Sequence, residues 1–203
     1  MVQQERSVRD PQFIMFVGPM FGSKTTRLLA AVDRLRWQHK EIVAFKPQMD
    51  DRYSIDKICT HSGGSIAATC VKTGDELMKA IEATNPNCNV IAVDEAFMIE
   101  GVAKTLLFYF KQGKTVIVSS LQLSSYGEPF EEIQKMMPWA TKIEICSAVC
   151  PITGKDAYYS YCKVGKKDGD IFVGGSESYE PRCFEHHEFV NPNYKGEKGY
   201  EYT

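Results

Sequence analysis

Short apolar-rich runs alternate with stretches of helical periodicity through residues 12–146. Phe13–Val17, Ile42–Lys46, Val90–Val93, Thr115–Ser119 and Lys142–Cys146 read as strands. Helical patterns start near Lys24, Gly74, Glu100 and Phe130. In the first of them Leu28, Leu29, Val32 and Leu35 recur at helical spacing. Short strands separated by helices predict an α/β fold with a parallel sheet covered on both faces. Right-handed crossovers then gather the loops that follow the strands at one edge, where ligands bind. Gly18 to Thr25, Asp94-Glu95 and Leu121 to Phe130 all follow strands, so they are expected to meet in one cleft. After Cys146 the periodicity disappears, and Cys, Tyr, Gly and Lys dominate. The expected layout is a flexible arm at 1–11 and a nucleotide-binding domain at 12–146, followed by a small lobe at 147–190 and a flexible tail at 191–203.

Composition narrows the function classes. In a chain of 203 residues, 43% hydrophobic residues suffice for a core, and a net charge of −2 gives no basis for nucleic-acid binding. No apolar run reaches the roughly 18 residues of a membrane span. Seven cysteines without a secretory core upstream point to a reducing, cytoplasmic setting.

Candidate chemistry begins at Gly18-Pro19-Met20-Phe21-Gly22-Ser23-Lys24-Thr25-Thr26. An apolar strand, a glycine-containing turn, a Lys-Thr pair and a helix form the layout of a phosphate-binding loop. Backbone amides of the turn make an anion nest, and the helix N-terminus adds its positive end. Lys24 would reach the β and γ phosphates, and Thr25 would offer its hydroxyl to magnesium. The residue before the lysine is ordinarily glycine. Here it is Ser23, with a glycine one place early at Gly22. An ordinary strand-turn-helix would also account for this stretch taken alone. The strand Val90–Val93 ends in two acids. Asp94 suits magnesium binding, and Glu95 suits proton abstraction from an attacking hydroxyl.

An ordered set of motifs then resembles one family. Gly18-Pro-Met-Phe, Lys24-Thr-Thr, Asp51-Arg-Tyr, Thr60-His61, Asp94-Glu95, Gly113-Lys-Thr-Val-Ile-Val and Glu128-Pro-Phe130 are followed by Ala148-Val-Cys150, Val173-Gly-Gly175 and Tyr179 with Cys183. The series, over roughly residues 12 to 188, resembles the type II thymidine kinases, which are tetrameric and contain zinc. The resemblance implies transfer of the γ-phosphate of ATP to the 5′-hydroxyl of thymidine or a related pyrimidine deoxynucleoside. It implies Glu95 as general base, Asp94 and Thr25 at magnesium, Lys24 on phosphate, and Arg52 beside the transferring phosphates. It also implies a base pocket of Met20, Met98, Leu121, Phe130 and Tyr179. A lasso loop around Ile171 to Tyr179 would close over the nucleoside, with backbone contacts from Val173, Gly174, Gly175 and Ser176. A small zinc-ribbon-like lobe and a homotetramer complete the set.

Four departures stand against it. Ser23 replaces a glycine. Ala96-Phe97-Met98 replaces a segment in which Met98 stands at an aromatic position. Gln122 and Ser125 replace an aspartate and an aromatic residue. Thr153 replaces a cysteine, which leaves Cys150, Cys183 and His186 as three zinc ligands where four are wanted. His187 or Cys162 could fill in, so the sequence leaves zinc open. Two readings follow: an active kinase, or a degenerate relative that binds nucleotide or partner subunits and transfers phosphate weakly.

Overall fold

The structure is a computed structural model, and it describes residues 10–50, 56–60, 63–164 and 174–194. Six strands form one parallel sheet. Chain order introduces β1 (Phe13–Val17), β2 (Ile42–Pro47), a hairpin of β3 (Lys57–Cys59) and β4 (Ser65–Ala67), and β5 (Thr69–Val71). Then come β6 (Val90–Val93), β7 (Thr115–Ser120) and β8 (Lys142–Ile145). The sheet order is β5-β2-β6-β7-β1-β8. β6 is buried along its whole length, as a strand covered on both faces must be.

Alternate residues of each strand feed two cores. On one face Phe13, Met15, Ile91, Val93, Val116 and Val118 pack against α2 (Gly74–Thr84), α3 (Val102–Lys111) and α4 (Glu131–Met136). On the other, Phe16, Ala92 and Ile117 pack against Leu28 and Val32 of α1 (Lys24–Trp37) and against the β3–β4 hairpin. The period of two in the strands and of about 3.6 in the helices thus meet in both layers. All five strands and four helices expected from the pattern are present. β5 and the hairpin were not expected, because segments of three residues are too short to show a period.

The small lobe consists of two antiparallel pairs. β9 (Ala148–Val149) pairs with β10 (Asp156–Ala157), and β11 (Tyr159–Cys162) with β12 (Tyr179–Arg182). It is fastened to the main domain at the phosphate-loop sequence. The Met20 N–H donates to Ser160 Oγ at 2.9 Å, and buried His187 Nε2 lies 3.0 Å from the Ser160 carbonyl. Residues 1–9 of the expected arm, 195–203 of the tail and 171–173 of the lasso lie outside the described residues.

Candidate functional site

A cavity of about 410 Å³ opens at the carboxyl ends of β1, β2 and β6. That lies within the range of small-molecule sites, about 300–1,000 Å³. Met20 to Thr26 form one wall, Asp94 and Glu95 the floor, and Gly175 approaches from the small lobe. Two of the three strand-end segments expected in one cleft line this cavity, whereas no residue from Leu121 to Phe130 does; Gly175 joins them from the lobe tethered to the loop.

The turn between β1 and α1 is tightly constrained. A Cβ on Gly18 would stand 2.2 Å from the Cys146 carbonyl, and one on Gly22 would stand 3.0 Å from it. Gly22 is therefore needed for space. Ser23, not Gly22, takes the left-handed conformation, at φ 56° and ψ 27°. Phe21 is left-handed as well, at φ 65°. Lys24 is buried and donates from Nζ to the Pro19 carbonyl at 2.6 Å, which folds its stem across the turn. The first turn of α1 has neither a side-chain cap at Ser23 nor an acidic residue of its own.

Asp94 is bonded from two elements. Thr25 Oγ1 donates to its two carboxylate oxygens at 3.1 and 3.2 Å, and buried Ser119 donates to Oδ1. Burial, ahead of the neighbouring Glu95 charge, pushes the Asp94 carboxyl up to about 7, against the bonds from Ser119 and Thr25. A divalent cation would offset that burial cost, and the oxygens of Thr25 and Asp94 are suited to magnesium. Glu95 follows at φ 48°, left-handed, and begins a short turn over Ala96–Met98.

The base-pocket candidates divide. Met20 and Gly175 line the cavity, whereas Met98, Leu121 and Phe130 pack against the main core. Phe97 is buried, and its ring meets that of Phe130 at 4.4 Å. An aromatic face thus stands one residue before Met98. Tyr179 heads β12, and burial pushes its phenol up to about 12. The Gln122 side-chain oxygen is buried and accepts no hydrogen bond within the described residues. Gly174 and Ser176 flank Gly175, while Arg52 and Val173 fall outside the described residues. Two buried groups in the cavity escaped the sequence reading, Lys46 and Asp50. Lys46 is the penultimate residue of β2 and Asp50 lies just past it, so the strand-end rule that found Asp94 would have found both.

In the small lobe Thr153 Oγ1 and His186 Nδ1 each lie 3.6 Å from Cys183 Sγ. Zinc bonds of about 2.3 Å to sulfur and 2.0 Å to nitrogen put tetrahedral ligands about 3.6 Å apart. Burial raises the Cys150 thiol, but donors from Cys183, Thr153 and Ile152 outweigh it and bring the group down to about 7. Cys183, Glu185 and His186 present ligand atoms within 4.8 Å of one another. Glu185 is engaged by Lys155 at 2.9 Å. Of the two substitutes considered for the missing ligand, His187 is held by the Ser160 carbonyl and Cys162 lies within β11.

A phosphate-loop sheet with paired acids at the end of a central strand defines a nucleotide-handling α/β protein. Residues 11–187 match the family described as "Thymidine kinase". The chain is 32% identical over 179 residues to the thymidine kinase of Pyrobaculum aerophilum, covering 86% of this chain and 97% of that one. It is 35% identical over 181 residues to the thymidine kinase of Thermococcus kodakarensis, covering 85% and 92%. The chain belongs to the thymidine kinase family, and it is a nucleoside phosphotransferase of that kind.

Two predictions follow from the loop and the floor. Left-handed φ costs a non-glycine residue about 1–2 kcal/mol, and glycine's greater unfolded-state freedom offsets about 0.5–1 kcal/mol of it. Ser23→Gly is therefore expected to stabilise the fold by about 0.5–1 kcal/mol in denaturant titrations. An unchanged or lower midpoint would contradict the strain at Ser23. A carboxyl whose folded pKa is raised loses stability as pH rises from its ordinary value near 4 to its folded value near 7. In metal-free buffer Asp94→Asn is thus expected to gain melting temperature over the wild type, more at pH 8 than at pH 5. A gain independent of pH would exclude the buried charge as its cause.

Proposed function

We propose that the protein transfers the γ-phosphate of ATP to the 5′-hydroxyl of thymidine or a closely related pyrimidine deoxynucleoside. The observation that carries this reading is one cavity holding Lys24, Thr25, Asp94 and Glu95 beneath a phosphate-loop turn. The turn and Lys24 hold the phosphates and offset their charge. Thr25 and Asp94 would hold magnesium, which when bound neutralises charge on the phosphate oxygens. Glu95 takes the proton of the 5′-hydroxyl as its oxygen bonds to the γ-phosphorus. The bond from that phosphorus to the bridging oxygen breaks, and ADP leaves with the electron pair. Gly175 closes the rim on the side of the small lobe, where backbone contacts exclude water. Arg52 is assigned to the transferring phosphates by resemblance alone.

A weakly active nucleotide binder is the second reading. Ser23 in a left-handed conformation and the Gln122 oxygen, without a partner among the described residues, favour it. We also propose the cytoplasm as its place and a homotetramer as its assembly. All seven cysteines are free thiols, which suits a reducing compartment. Among the described residues no helix is long and apolar enough to cross a membrane.

Zinc would be held by Cys150, Cys183 and His186, with the Thr153 hydroxyl in the fourth place. Its chemistry there is cross-linking of the β9–β10 pair to the segment after β12, remote from phosphate transfer. A hydroxyl is a poor zinc ligand beside thiolate, so the affinity is weak.

Labelled ATP with thymidine, and then with other nucleosides, tests the activity. Glu95→Gln is expected to lower kcat by about 10²–10⁴-fold, the usual worth of a general base, with nucleotide affinity nearly unchanged. Retained turnover would remove Glu95 from the role. No monophosphate from any nucleoside, with ATP still bound, would leave the second reading standing. Thr153→Cys is expected to raise zinc affinity at least about tenfold and to make the melting temperature sensitive to chelators. If the wild type already retains one tightly bound zinc by metal analysis, the weak-site proposal fails.

A further inference from the structure

We infer that Ser119 and Ser120, the last two residues of β7, are positioning residues for the acidic pair: Ser119 sets Asp94, and Ser120 sets the turn that carries Glu95. The inference rests on the phosphoryl-transfer reading of Asp94 and Glu95. Val116, Ile117 and Val118 of β7 are apolar and fully buried, and then two buried hydroxyls follow in a row, at 1% and 0% exposure. A hydroxyl has a place in such a strand only where it is bonded, and both are bonded around the same turn. β6 runs parallel beside β7 with Val93 opposite Val118, so Ser119 comes next to Asp94.

Ser119 Oγ donates to Asp94 Oδ1, while Thr25 holds both carboxylate oxygens from the α1 side. The carboxylate is thus gripped from two elements, and its orientation does not depend on an ion arriving. Ser120 acts three residues after Asp94, at Phe97. Its Oγ accepts from the Phe97 N–H at 3.2 Å and donates to the Leu121 carbonyl at 3.0 Å. Those two bonds settle the direction of the hydroxyl and tie Phe97 to the end of β7. The Met98 N–H closes the turn onto the Glu95 carbonyl at 3.1 Å. Glu95 is thereby kept in a left-handed conformation that persists only where its surroundings over-determine it. Neither serine reaches substrate in this scheme. Each acts through its neighbour.

The two halves have separate readouts. Calorimetry of a non-hydrolysable ATP analogue across a Mg2+ series is expected to show that Ser119→Ala needs about tenfold more Mg2+ for half-saturation, the loss of one bond to a charged group. Its nucleoside KM stays within about twofold of wild type. Ser120→Ala is expected to lower kcat about tenfold at unchanged Mg2+ dependence, and to speed amide exchange at Phe97. Folded alanine variants with wild-type Mg2+ dependence and wild-type exchange at Phe97 would overturn the inference. If alanine prevents folding, Ser119→Cys and Ser120→Cys keep the side-chain size with a weaker donor. They are expected to shift the same readouts in the same direction, and wild-type values in them overturn it too. If the wild type transfers no phosphate, the kinase reading fails by itself, and the Mg2+ series and exchange rates still decide the roles of the two serines.

Discussion

A carboxylate buried at the carboxyl edge of a parallel sheet must be bonded on every side, and the cleft is arranged around that demand at Asp94. Its oxygens join the first turn of α1 through Thr25 and the end of β7 through Ser119. Three elements from distant parts of the chain are thereby held at one point. The cost is desolvation of the charge, which raises the carboxyl to about 7. A carboxyl kept so far from its ordinary value in a cleft marks a candidate functional group. Here the cause is visible, because the sheet buries the strand end completely and the next residue is a second acid.

Strain is concentrated beside this point. Ser23 and Phe21 in the loop and Glu95 in the floor all have positive φ without being glycine. Such residues persist only when the surrounding packing leaves no alternative. For the loop, that packing is the Cys146 backbone, which presses on Gly18 and Gly22, together with the Ser160 hydroxyl that takes the Met20 N–H. The small lobe therefore helps to shape the phosphate-binding turn as well as to cover the cleft. His187 secures the other side of Ser160 through Nε2 and so belongs to the loop's support.

The sheet and its helices were legible because covered strands and amphipathic helices carry long, strong periods. The helix that starts near Lys24 was read from Leu28, Leu29, Val32 and Leu35 in this way. β5 and the β3–β4 hairpin were not, since their short lengths leave pairing to tertiary context. The loop and the acids were legible as strand-end chemistry. Lys46 and Asp50 obey the same rule but lacked a motif to draw attention. The sequence reading took an aromatic face to be lost at Met98, and the ring that meets Phe130 belongs to its neighbour Phe97.

The backbone also changes the weight of the departures from the family. Ser23 occupies the left-handed position at an energetic cost, but Gly22 supplies the closer approach that the turn requires. Thr153 keeps an oxygen within 3.6 Å of the Cys183 sulfur, so the lobe retains a polar link where the sulfur ligand is lost. The small apolar cluster of Ala148, Cys150, Ala157 and Cys183 packs behind it. Gln122 differs in kind, because its buried oxygen has no such compensation in the described chain. An uncompensated buried acceptor costs about 1–3 kcal/mol. Of the four departures, Gln122 is therefore the one whose cost is left uncompensated among the described residues. Ser23 and Thr153 bear on the stability of the loop and the lobe.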